Sequence, residues 1–157
     1  MPKPAIKSAA PDFTAPVVGG DYEPGATITL SELKGGPVVL YFYPKDDTPG
    51  CTKQACGIRD SWAALKKVAR VFGISPDAVR THEKFIKKHE LPFPLIADED
   101  KKIAEAYGVW VEKSLYGRKY MGVERSTFVI DGRGKIAAVF EKVKPEEHVG
   151  LLLEALN

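Results

Sequence analysis

The chain has 157 residues, 44% apolar and 28% charged, which fits one domain over residues 1–157 whose core needs no disulfide staples. Lys and Arg total 23 against 21 for Asp and Glu, and a net charge of +2 gives no electrostatic case for a nucleic-acid partner. No apolar run approaches the ~20 residues that span a bilayer, and residues 1–10 resemble neither a secretory signal nor an Arg-rich transit peptide, so a cytoplasmic protein without a membrane partner is expected.

Residues 1–36 are rich in Pro and Gly and are expected to form an irregular lead-in, with Thr27 to Leu30 as a short strand. Val38 to Tyr43 is an unbroken apolar and aromatic run ending at Pro44, the pattern of a central strand buried on both faces. After a loop, Ala55, Ile58, Trp62 and Leu65 recur at spacings of three and four, one stripe of a helix. Thr48 is its N-cap candidate and Pro49 its first residue. Val68 to Ile74 reads as the next strand, followed by a helix from Pro76 to about His89 capped by Ser75. Pro94 to Ala97 is a short strand, Lys101 to Tyr107 a short helix, and Lys113 to Lys119 a solvated loop with a few aromatics. Ser126 to Ile130 and Lys135 to Phe140 flank an Asp131-Gly132 turn and predict a hairpin. A helix over Pro145 to Leu156 closes the chain. This order implies a layered α/β domain, compatible with a thioredoxin-like fold.

Cys51 and Cys56 are the chain's two cysteines. In a reducing cytosol a lasting bridge is disfavoured, which leaves either redox chemistry or inert apolar packing. If Thr48 is the N-cap, Cys51 is the third helical residue, among free backbone N–H groups and the positive end of the helix dipole. A thiol there is biased toward thiolate, the reactive form, and the Thr48 hydroxyl is expected near the Cys51 N–H. Five residues of helix rise by roughly 7.5 Å, whereas a disulfide needs Cα atoms within about 7 Å. Cys51 and Cys56 therefore bridge only if the first helical turns unwind, which suggests a switch rather than a staple. Arg59 lies about 12 Å further along the same helix than Cys51, too far for direct contact. His82 and His89 fall near the apolar face marked by Val79, Phe85 and Ile86 and read as packing histidines, with no further Cys or His spaced to complete a zinc site.

Pro44, Thr48 and Cys51 match the Pro-x-x-x-Thr-x-x-Cys signature of peroxiredoxins. With Cys56 included, the chain resembles the peroxiredoxin Q subfamily, also called bacterioferritin comigratory protein. The likeness runs from Ala10, Pro11, Asp12 and Phe13 through the segment Arg125 to Asp131; many members carry Glu where this chain has Gln54. The resemblance implies a thioredoxin-like fold with a central mixed sheet flanked by helices. It implies a thiol-dependent peroxidase acting on hydrogen peroxide and organic hydroperoxides, with Cys51 as the peroxidatic and Cys56 as the resolving cysteine. Thr48 and the backbone at Cys51 would hold the peroxide, Pro44 would shield the sulfenic acid, and Arg125 would favour thiolate and the anionic transition state. It further implies thioredoxin or a similar dithiol as reductant, no metal, haem or flavin, and a monomer. Two rivals remain. A thioredoxin-type oxidoreductase favours Cys-x-x-Cys, whereas four residues separate these cysteines. A redox sensor without enzymatic activity would use the same bridge to change a binding surface.

Overall fold

Strand β3 (Val38–Phe42) is buried at every residue, because it packs on two cores at once. Val38, Leu40 and Phe42 enter one apolar cluster, while Val39, Tyr41 and the following Tyr43 enter the other. Side chains alternate across a strand, so a strand covered on both faces must be apolar throughout. The computed structural model describes residues 2–33 and 35–156.

Around β3 lies a seven-stranded mixed sheet ordered β2-β1-β5-β4-β3-β8-β9. Its members are β1 (Thr14–Val18), β2 (Thr27–Thr29), β4 (Arg70–Ser75), β5 (Leu95–Ala97), β8 (Thr127–Ile130) and β9 (Ile136–Phe140). β3, β4 and β5 run parallel, and the other pairings are antiparallel. α1 (Pro49–Asp60), α2 (Trp62–Leu65), α3 (Val79–His89) and α5 (His148–Leu156) bring Ala55, Ile58, Leu65, Phe85 and Leu152 to the cluster that contains Tyr41 and Cys51. α4 (Lys102–Ala106) serves the opposite cluster through Ile103 and Ala104. Among the described residues no helix is long and apolar enough to cross a membrane.

Several expectations needed correction. The lead-in is not irregular throughout: β1 pairs with β2 over Thr14–Pro16 and with β5 over Val17 and Val18. Pro16, which has no N–H to donate, sits where β1 changes partner. The helix beginning at Pro49 does not run to Leu65, because Ser61 leaves helical geometry while its N–H bonds to the carbonyls of both Gly57 and Ile58. β4 starts at Arg70 because the N–H groups of Val68 and Ala69 still turn back to Leu65 O. Ser75 is no cap. It ends β4, and its hydroxyl donates to Asp77 Oδ2, so α3 begins at Val79. Pro145–Glu147 forms a 3-10 turn before α5.

The supposed loop at Lys113 to Lys119 belongs to a hairpin of β6 (Trp110–Leu115) and β7 (Arg118–Val123). Tyr116 and Gly117 turn it with φ of 51° and 78°, the two positive values of a type I′ turn.

Candidate active site

The loop after β3 is held from below by a buried knot. Tyr43 donates its hydroxyl to Asp46 Oδ1 at 2.6 Å, and His82 Nδ1 stands 2.6 Å from Asp46 Oδ2. The Asp46 N–H donates to Asp77 Oδ2 at 2.8 Å, and His82 Nε2 lies 3.0 Å from Ile96 O. Asp46, Asp77 and His82 each bring a donor atom within 4.8 Å of the others, but these hydrogen bonds already use them. Their work is to fix the loop that leads to Cys51.

α1 starts where that loop ends. Thr48 takes the N-cap position, and its carbonyl accepts the first helical bond from Thr52 N–H at 2.8 Å. Its hydroxyl, contrary to expectation, donates to Lys45 O at 2.8 Å and makes no cap bond. The N–H groups of Gly50 and Cys51 precede the first helical bond, which leaves them without a helical acceptor. Pro44 is partly buried at the end of β3, and Cys51 is only 2% exposed. Cys56, also on α1, is partly exposed, and both cysteines are free.

Arg125, just before β8, brings Nη2 to 3.5 Å from Cys51 Sγ and donates from Nη1 to Gln54 Oε1 at 2.6 Å. Its carbonyl accepts from Val143 N–H at 2.8 Å, which anchors its backbone. Gly50 leaves the necessary room: a Cβ there would lie 3.1 Å from Arg125 Nη2. Behind Arg125 a polar chain runs into the core. Gln54 Nε2 meets His148 Nδ1 at 3.1 Å, and His148 Nε2 meets Thr127 Oγ1 at 2.8 Å. Burial, assisted by the Arg125 charge, pushes His148 down to about 3, so this imidazole is neutral. Burial also lowers Lys113 on β6, with repulsion from Arg125 adding to it. Val111, Glu112, Lys113, Glu124, Arg125, Lys142 and Val143 line a cavity of about 440 Å³ at this edge.

Of the expected residues, the fold brings Cys51, Thr48 and Arg125 to one helix start. Arg59 turns away, donating from Nη1 to His89 O at 2.8 Å. His148 and Gly50 were not anticipated, and only tertiary structure reveals them, since Gln54 and His148 are 94 positions apart.

A buried sulfur at a helix start, 3.5 Å from a guanidinium, is equipped for nucleophilic thiolate chemistry. Residues 6–139 match the model of the AhpC/TSA family. The chain is 52% identical over 92% of its length to a putative peroxiredoxin Bcp of Coxiella burnetii, of which the match covers 93%. Against peroxiredoxin Bcp of Bacillus subtilis it is 47% identical, covering 97% of this chain and 94% of the relative. A solved bacterioferritin comigratory protein of Xanthomonas campestris, studied for alkyl peroxide reduction, superposes with a TM-score of 0.83 at 34% identity, covering 92% of this chain and 89% of that one.

Proposed function

This chain belongs to the AhpC/TSA family and is a peroxiredoxin, a thiol-dependent peroxidase of thioredoxin-like fold, and on that premise we propose which residues carry the reaction. Cys51 is the peroxidatic nucleophile. Its thiolate attacks one oxygen of the hydroperoxide, an S–O bond forms as the O–O bond breaks, and the departing oxygen takes a proton to leave as water or alcohol. The product is a sulfenic acid at Cys51.

The observation that carries this assignment is the 3.5 Å approach of Arg125 Nη2 to Cys51 Sγ at the first turn of α1. A fixed cation beside the sulfur favours thiolate and then stabilises the charge that moves onto the leaving oxygen. The N–H groups at the helix start supply further donors. In this reading the Thr48 hydroxyl leaves Lys45 O to hold the bound peroxide, and Pro44, partly buried after β3, shields the sulfenic acid. Cys56 then attacks the sulfenic sulfur, releasing water and closing the Cys51–Cys56 disulfide. Thioredoxin or a similar dithiol reduces that bridge by exchange, which returns both thiols.

Organic hydroperoxides are substrates alongside hydrogen peroxide, a reading supported by the Xanthomonas relative, which was studied for alkyl peroxide reduction. Both cysteines come from one helix, so a monomer suffices as a single domain. Turnover by dithiol exchange suits the reducing cytoplasm.

The purified protein should oxidise a dithiothreitol or thioredoxin pool only when peroxide is present, and Cys51→Ser should abolish this with every donor. Retention of a tenth of the rate in that variant would place the nucleophile elsewhere.

A further inference from the structure

His148 is a buried titratable side chain, linked through Gln54 to the guanidinium beside the reacting sulfur, that no step of the peroxidase cycle consumes. It opens α5, is fully buried, and packs its ring edge-on against Tyr41 at 5.3 Å. We propose that His148 is a positioning residue of the peroxidase: by accepting a hydrogen bond it fixes the Gln54 amide, which holds the Arg125 guanidinium against Cys51. The proposal rests on Cys51 being the nucleophile.

The chemistry of the groups fixes the direction of every bond. An arginine only donates, so Gln54 must face Arg125 with Oε1, as it does at 2.6 Å. Its Nε2 then points the other way, to His148 Nδ1 at 3.1 Å, and that nitrogen must accept. The ring proton therefore sits on Nε2 and donates to Thr127 Oγ1 at 2.8 Å. Only the neutral imidazole serves, because an imidazolium would set N–H against the Gln54 amino group. Burial keeps it neutral, with the nearby Arg125 charge acting in the same direction. Gln54, His148 and Thr127 are all fully buried, so no water replaces a missing acceptor.

Without the acceptor, the Gln54 amino group is left buried and unpaired. The amide is then free to turn over and present N–H groups to a guanidinium that can only donate. Arg125 loses one of its two side-chain anchors and with it the alignment of Nη2 toward the sulfur. A tautomer-fixed imidazole thus does for an amide what outer partners do for ligating histidines: it removes a wrong orientation.

The test is a cycle of single and double variants, read as the second-order rate of Cys51 oxidation by hydrogen peroxide and as the thiolate absorbance against pH. His148→Phe keeps the ring packing and removes the acceptor; the rate should fall about tenfold, the worth of one hydrogen bond to a charged network. Less thiolate should be present at a given pH. His148→Asn puts a carbonyl where Nδ1 stands and so still offers Gln54 an acceptor, and it should recover most of the rate. Combining His148→Phe with Gln54→Leu should be no slower than Gln54→Leu alone, because His148 acts through Gln54. Multiplying losses in the double variant, an unchanged rate in His148→Phe, or an Asn variant as slow as Phe would each overturn the relay. If His148→Phe does not fold, the Asn variant and Thr127→Val, which removes the partner of Nε2, carry the same comparison. A sulfenic-acid reagent that labels a residue other than Cys51 in the unaltered protein would overturn the nucleophile assignment itself. A label on Cys51 with unchanged rates in the variants would overturn the relay alone.

Discussion

Arg125 Nη2 stands 3.5 Å from Cys51 Sγ across 74 positions of sequence, so the sulfur meets this cation only when β8 lies beside β3. The same guanidinium grips Gln54 Oε1 at 2.6 Å, two residues before Cys56 on α1. One side chain therefore holds both the sulfur proposed as nucleophile and the helix that the proposed bridge would open.

Arg125→Lys should cost more than the preserved charge suggests. A lysine cannot hold both Cys51 and Gln54, because it lacks the planar fork. With ~1.5–3 kcal/mol for the lost charged contact, Cys51 oxidation should slow about ten- to a hundredfold. The ultraviolet thiolate band should also appear at higher pH. An unchanged rate together with an unchanged titration would make Arg125 a bystander.

Gly50→Ala tests the approach itself. The added Cβ would sit 3.1 Å from Arg125 Nη2 and 3.8 Å from its Cζ, with Pro145 Cγ at 3.6 Å. The tip of an arginine yields easily, so the fold should tolerate the change, with a reduced-state urea midpoint close to the unaltered protein. The rate should still drop, by about three- to tenfold, as the cation is displaced by a few tenths of an ångström (~1 kcal/mol). A lowered midpoint with an unchanged rate would contradict this reading.

Acid should destabilise the reduced protein partly through His148. Its ordinary value is 6.5 and burial takes it to about 3 in the fold, so between those pH values the unfolded chain binds a proton that the folded chain refuses. That contribution to stability is complete above pH 6.5 and drains away as pH falls toward 3. Asp98, pushed up to about 6 by burial against two opposing backbone N–H bonds, works in the reverse sense over an overlapping range. Comparing the unaltered protein with His148→Asn cancels Asp98. From pH 6.5 to 5 the unaltered protein should lose more unfolding free energy, by at most about 1.4 kcal/mol per pH unit. Parallel curves would mean that His148 titrates normally.

Oxidation should open the start of α1. The two cysteines lie on one helix with a rise of roughly 7.5 Å between them, which a disulfide cannot span without unwinding. Amide exchange over residues 52–57 should speed up in the oxidised form while β3 stays protected. Helix ends beside active sites belong to the weaker parts of a fold, and Ile58, fully buried in the last turn of α1, should keep the remainder anchored. Equal protection in the two forms would mean that an outside thiol resolves Cys51.

Much of this was legible in the chain because some physical signals are local. β3 announced itself through burial on both faces, and Thr48, Pro49 and Cys51 marked a helix start carrying a thiol. β6 and β7 stayed hidden because their side chains are mostly exposed on both faces, so no period of two appears. β1 was masked by Pro16, which suits a strand only where it changes partner. The Thr48 hydroxyl was misplaced because the nearby Lys45 carbonyl competes with the helix for it. The relay from Arg125 to Thr127 joins α1, α5 and β8, and no spacing within any one of them encodes it.

The most direct measurement is a peptide map of the protein after one equivalent of hydrogen peroxide, digested without reductant. The account predicts a monomer that has lost two hydrogens, with a single cross-linked pair joining Cys51 to Cys56, and in Cys56→Ser a trappable sulfenic acid on Cys51. A disulfide between two chains, or peroxide-derived oxygen on Cys56 with Cys51 intact, would contradict it.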